Sequence, residues 1–191
     1  MIKTLLLFIT LLTISSNALL CAFASAKVPP LTALATHEVT QQLPTYSKIY
    51  DDKRDPFSDA NAALALAQKT NRHVLIEVGG NWCSWCHKMD TFLTNTPEVY
   101  KALHNQYVLL KVNVSDSNEN EAFMKSLPPT LGYPHIYVSN AQGKMLLSKD
   151  TAELLENNEY SKSQWMNFLE QWSMQNTLAS ALLSNTAASE Q

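Results

Sequence analysis

Apolar residues in this chain fall into two kinds of pattern, and each predicts an element. "HVLIEVGG" (His73–Gly80) and "YVLLKVNV" (Tyr107–Val114) are near-continuous apolar runs. Runs of this length and composition predict strands covered on both faces. Glu77 and Lys111 are the polar exceptions inside them. Elsewhere the spacing is helical. "DANAALALAQKTN" predicts a helix capped by Ser58 or Asp59, with Ala62, Leu66 and Lys69 along it. A second helix is expected to open at Cys83 and Cys86 and to run to about Thr94. Thr96 followed by Pro97 predicts the start of a third, "PEVYKALHN". "NENEAFMKSL" predicts a short helix. "GYPHIYVSNAQGKMLLS" reads as strand, turn and strand, with Asn140-Ala141-Gln142-Gly143 at the turn. Trp165, Phe168, Leu169 and Trp172 recur at three and four, which predicts one closing amphipathic helix through "SKSQWMNFLEQWSMQNTLASALL".

Strands alternating with helices call for parallel pairing, and the hairpin adds antiparallel strands at the edge. The predicted fold class is α/β, a three-layer α/β/α sandwich around a mixed sheet of four or five strands. Residues 27–56 form a weakly patterned N-terminal extension containing Pro29, Pro30 and Pro44, with one short strand expected near Tyr46–Tyr50. The domain is expected over 57–178 and a disordered tail over 179–191.

The N-terminus changes the picture. Lys3, the apolar run "LLLFITLLTI" and the small residues "AFASA" compose a secretory signal over residues 1–26. Cleavage is expected after Ala26 or Ala24. The run is short for a membrane span, which needs about 20 apolar residues. Cys21 falls in the removed segment, and the Leu20 before it does not suit lipidation. The predicted location is therefore secreted, and periplasmic in a Gram-negative host. Cys83 and Cys86 are then the only cysteines of the mature chain. A pair three positions apart closes too small a loop to restrict the unfolded chain much, so reactivity or ligation explains it better than stapling. The whole chain is 46% apolar with a formal charge of -3. It has no basic cluster interleaved with aromatics, which argues against nucleic acid as a partner.

"NWCSWCHKMD" (Asn81–Asp90) carries the candidate chemistry. Cys-x-x-Cys-His is the attachment pattern for c-type haem, with His87 as iron ligand and Met124 or Met145 as a distal one. Cys83, Cys86, His87 and Met89 are also soft ligands that suit Cu(I). The third reading is a dithiol that makes and breaks disulfides. Cys83 at a helix N-terminus would have its thiolate favoured by free backbone N–H groups. Cys86, one turn on, would be the resolving thiol, and Glu77, in an apolar strand, a buried base with a raised pKa. His87, four residues after Cys83, would modulate the thiolate. Trp82 and Trp85 would dock a protein partner. The buried strands on both sides of the motif favour this third reading.

Four features together resemble the thioredoxin superfamily, specifically secreted thioredoxin-like proteins with a WCxWCH site. "WCSWCHK" follows a buried strand and opens a helix. Glu77 lies six residues before Cys83, where the family has a buried acid. Lys111 lies where the family has a nearby lysine. Pro134, after Tyr133, starts a strand where the family has a cis-proline facing the site. The resemblance covers about residues 57–175. It implies a secreted thiol–disulfide oxidoreductase, acting as reductase or isomerase rather than oxidase. Cys83, Cys86, Glu77 and Lys111 would be catalytic; Trp82, Trp85, Tyr133 and Pro134 would bind substrate. No cofactor or metal is expected beyond a redox-active Cys83–Cys86 disulfide. The implied partners are protein thiols and disulfides, with a membrane electron donor or acceptor. Ser84-Trp85 between the cysteines, and Glu in place of Asp at 77, depart from thioredoxin itself.

Overall fold

The computed structural model describes residues 43–189. The expected signal segment, its cleavage sites, Cys21 and residues 27–42 of the extension lie outside the described residues. Helix α1 spans Pro56–Thr70, strand β1 His73–Gly79, α2 Ser84–Asn95, α3 Pro97–Gln106, β2 Tyr107–Asn113, and the single turn α4 Glu121–Met124. They are followed by β3 (His135–Ser139), β4 (Met145–Asp150), the short strands β5 (Leu155–Glu156) and β6 (Glu159–Tyr160), α5 (Lys162–Gln171) and α6 (Met174–Ser189).

The main sheet has the order β2-β1-β3-β4. β1 and β2 are parallel, with Glu77 opposite Lys111, while β1–β3 and β3–β4 are antiparallel. Side chains alternate across the pleat. Leu75, Leu109, Ile136 and Val138 therefore pack against Met89 and Leu93 of α2, Val99 and Leu103 of α3, and Trp165 and Phe168 of α5. Val74, Ile76, Val78, Val108 and Leu110 face Ala63 and Ala67 of α1 and Phe123 at α4. This is the three-layer α/β/α arrangement with a mixed four-stranded sheet. Glu77 and Gly79 share the parity of Leu75, so both lie on the α2 side.

Several local expectations are corrected. Residues 45–50 hold no strand: Thr45–Ser47 is a 3-10 turn entered from Pro44. Tyr46 and Tyr50, one turn-like interval apart, are both buried, and Ser47 Oγ donates to the Leu109 carbonyl of edge strand β2. Residues 43–55 thus strap the sheet edge, which otherwise presents unpaired backbone groups. Helix α1 is capped by Asp55, whose carboxylate accepts from Phe57 N and Ser58 N, and Pro56 takes the first helical position. Asp59, itself buried, instead forms an ion pair with the half-buried Arg54. Thr96 precedes α3 without a side-chain capping bond.

The closing helix is two helices. It breaks at Trp172–Ser173, and Ser173 Oγ accepts from Asn176 N to begin α6. α6 continues to Ser189, across most of the expected disordered tail; its sequence is rich in the helix formers Ala and Leu and holds no Gly or Pro. Asn157 and Asn158, both at positive φ, turn the β5–β6 hairpin. That hairpin carries Tyr160 to the underside of α2.

Candidate active site

Cys83 is the N-cap of α2 and Cys86 lies in its first turn. They are joined by a disulfide with a Cα–Cα distance of 5.2 Å. Cys83 Sγ accepts a hydrogen bond from Cys86 N at 3.1 Å, an amide that also donates to the Cys83 carbonyl, so one sulfur already sits on a helix-start N–H. Cys83 is 4% exposed and Cys86 is fully buried. A partner sulfur approaching from solvent therefore meets Cys83 first.

Behind the disulfide lies a polar cluster drawn from four separate stretches of the chain. Glu77 is 1% exposed in the middle of β1. Lys111 Nζ, from the neighbouring strand, lies 3.7 Å from Glu77 Oε1 and forms a second ion pair with Asp90 of α2. Tyr50 donates its phenol O–H to Glu77 Oε1. Burial pushes the Glu77 carboxyl up to about 7; Lys111 acts in the opposite direction, Asp90 adds to the rise, and the Tyr50 hydrogen bond lowers it. Burial and the facing Glu77 hold the Tyr50 phenol well above its ordinary value. Near neutral pH, Glu77 can thus both hold and release a proton.

Gly79 brings this cluster to the sulfurs. A Cβ at position 79 would lie 2.6 Å from Cys86 Sγ and 2.8 Å from Tyr50 Oη. Only a hydrogen side chain lets the strand approach the disulfide so closely, and the Tyr50 phenol and the Cys86 sulfur, in one packed cluster, both border this glycine.

The aromatic residues divide into two roles. Trp82 is 59% exposed, its Nε1–H donates to the Val114 carbonyl at 2.6 Å, and it meets Tyr133 edge to face at 5.5 Å. Trp85 is half-buried; it packs on Tyr160 and lies under Lys88 Nζ at 4.1 Å. Tyr133 and Trp85 both pack against the Cys83–Cys86–Tyr50 cluster. The Tyr133–Pro134 peptide bond is cis. A groove of about 460 Å³ is lined by Trp82 and Tyr133 together with Met124, Pro128, Pro129 and Glu121. His87 is exposed, and its Nε2–H donates to the Asn81 carbonyl at 2.8 Å.

The soft-metal set is not brought together. Met89 is buried in the core under α2, and His87 is held by a backbone carbonyl. Among the described residues, no group of three or more His, Cys, Asp or Glu is placed to hold a metal ion. The motif lies between strands β1 and β2 of the sheet, the buried-strand setting that favours the dithiol over haem attachment.

Sequence reasoning brought Cys83, Cys86, Glu77 and Lys111 to one place, and missed two groups that join them. Asp90 lies seven residues after Cys83, two helical turns on, and that spacing was a usable signal. Tyr50 carried none, because its partner is 27 residues away in a different element.

Comparison with known proteins agrees with this geometry. A family profile described as thioredoxin-like matches residues 55–141. The chain is 35% identical over 88 residues to the Thiol:disulfide interchange protein DsbD of Klebsiella pneumoniae, covering 46% of this chain and 14% of that protein. It is 29% identical over 126 residues to the protein of the same name from Vibrio vulnificus, covering 66% of this chain and 21% of that protein. It thus spans a small part of the length of these relatives. In fold it is similar to a disulphide isomerase from Xylella fastidiosa Temecula1, with a TM-score of 0.56, 24% identity, and coverage of 68% of this chain and 95% of that one. Among the described residues, no helix is long and apolar enough to cross a membrane. The matched stretch, residues 55–141, contains β1, β2, β3, the disulfide at the start of α2 and the cis-proline before β3, and the fold is thioredoxin-like.

Proposed function

We propose that this protein is an exported thiol–disulfide oxidoreductase acting on protein substrates through Cys83 and Cys86. The observation that carries this reading is the disulfide at a helix N-terminus with a buried, near-neutral carboxyl behind it. In the reduced protein, the Cys83 thiolate attacks one sulfur of a partner disulfide. A Cys83–partner bond forms and the partner's second sulfur leaves as a thiolate, which takes a proton. Cys86 then gives its proton towards Glu77, directly or through water, and attacks Cys83 Sγ. The Cys83–Cys86 bond forms, the partner's first sulfur leaves, and two electrons have passed to the partner. The reverse sequence oxidises a dithiol partner, with Glu77 returning the proton to Cys86.

Lys111 offsets the charge on Glu77 while it cycles, and Asp90 holds Lys111 from the helix side. Trp82, Tyr133 and the cis-Pro134 loop seat the substrate segment, with the groove beyond them taking the residues that flank its cysteine. Trp85 serves more as inner packing than as a contact. His87 acts on the loop before Cys83 through Asn81. We assign the reductase or isomerase direction, with a membrane partner as electron donor and the periplasm of a Gram-negative host as the compartment. The DsbD relatives carry "thiol:disulfide interchange" in their name, which supports the class of reaction.

The test uses the reduced protein and a disulfide-bonded protein substrate such as insulin. Cys83→Ser is expected to abolish exchange, and Cys86→Ser to accumulate a Cys83-linked mixed disulfide. Parent-like turnover in either variant rules the mechanism out. A reduction potential near ~-270 mV supports the reducing direction, and one near ~-120 mV reverses it.

A further inference from the structure

Tyr50 lies outside the residues matched by the thioredoxin-like profile, yet it touches both halves of the site. It is 3% exposed. Its phenol donates to Glu77 Oε1, and the point above Gly79 that is 2.8 Å from its oxygen is 2.6 Å from Cys86 Sγ. Its ring lies 4.9 Å from Lys111 Nζ, a cation–π distance. Its backbone carbonyl accepts from Asn81 Nδ2 at 3.0 Å, in the loop that leads into Cys83. The segment that carries it is fixed on both sides: Tyr46 is buried in the opposite core, and the Asp52 carboxylate and carbonyl accept from Ser117 and Asn118.

We propose that Tyr50 is a positioning residue of the exchange site: its phenol holds the Glu77 carboxylate where that group trades a proton with Cys86, and its ring closes that side to water. The proposal rests on the exchange reading above and adds to it the strap, residues 43–55, as a working part of the site. The phenol is a donor to a carboxylate that has lost most of its hydration, so it favours the ionised, proton-accepting form. The other titratable groups facing Glu77 are Lys111 from β2, Asp90 from α2 and Tyr160 from β6. None of these offers a neutral donor hydrogen-bonded to the same carboxylate, so its orientation falls to Tyr50.

The test compares parent, Tyr50→Phe, Glu77→Gln and the double variant in the full chain. The measured step is resolution of a preformed Cys83 mixed disulfide, followed from about pH 5 to about pH 9. Phe keeps the ring and removes only the hydroxyl. Loss of a donor to the carboxylate moves the acid limb of the Tyr50→Phe profile to higher pH by about one unit. That is roughly tenfold slower resolution at pH ~6, with the alkaline plateau kept. The double variant is expected to match Glu77→Gln alone. An acid limb in Tyr50→Phe that superimposes on the parent's, equal slowing at every pH, or a further loss in the double variant would overturn the proposal. A second readout does not need turnover. The carbonyl band of protonated Glu77, identified by infrared difference against Glu77→Gln, should persist to higher pH in Tyr50→Phe; an unmoved band counts against the link. Failure of the exchange reading itself looks different: the parent does not resolve mixed disulfides, while the infrared shift remains.

Discussion

Glu77→Gln isolates the energetic cost of holding a carboxyl behind the disulfide. Burial takes the Glu77 carboxyl from its ordinary 4.5 to about 7 in the folded protein. The folded state therefore binds this proton more tightly than the unfolded state does. Below about pH 4.5 both states are protonated and the group costs nothing extra. As pH rises towards 7, the unfolded chain ionises first and is favoured. Above about 7 the loss is complete, and a gap of this size amounts to about 3 kcal/mol. Gln has the same shape and still accepts the Tyr50 hydrogen bond. Lys111 retains Asp90 as its ion-pair partner, so the substitution leaves no buried charge alone. The oxidised Glu77→Gln protein should match the parent in unfolding free energy at pH ~4.5 and exceed it by roughly 2–3 kcal/mol at pH ~8. Denaturant titrations of both proteins across this range, with the disulfide kept intact, measure the difference. A difference that does not change with pH, or a variant less stable than the parent at pH ~8, would refute the assignment of Glu77 as a strained, near-neutral acid.

Two further substitutions probe the approach to the sulfurs. Gly79→Ala places a methyl 2.6 Å from Cys86 Sγ; overpacking of this kind is expected to destabilise the oxidised protein by about 1–3 kcal/mol and to slow exchange, read by thermal unfolding and by substrate turnover. Trp82→Ala removes an indole that is mostly exposed, so KM for a protein disulfide should rise several-fold while the melting temperature moves little; unchanged KM would remove Trp82 from the docking surface.

The sheet and the thiols were legible because their signals are local. "HVLIEVG" and "YVLLKVN" are buried along their whole length, and an apolar run bounded by polar residues states that directly. Cys83 at a helix start follows from its place between a strand and a helical pattern. Errors arose where two local signals competed. Asp55 and Asp59 both suit a cap, and Pro56 decides for the first. Ser173 breaks a helix whose apolar spacing runs on regardless, because a serine can cap as well as continue. Tyr50 was illegible for another reason: its function comes from a hydrogen bond to a group 27 positions away, and nothing in "KIYDDK" specifies that partner.

The strap over the edge of β2 matters for anyone transplanting this chemistry. A graft of "WCSWCHK", even with its flanking strand and helix, would move the thiols, the acid and the glycine. It would leave behind the phenol that arrives from a separate stretch before α1. The recipient would inherit the sulfur pair but keep its own proton economy, and two proteins sharing that motif letter for letter need not respond alike to acid.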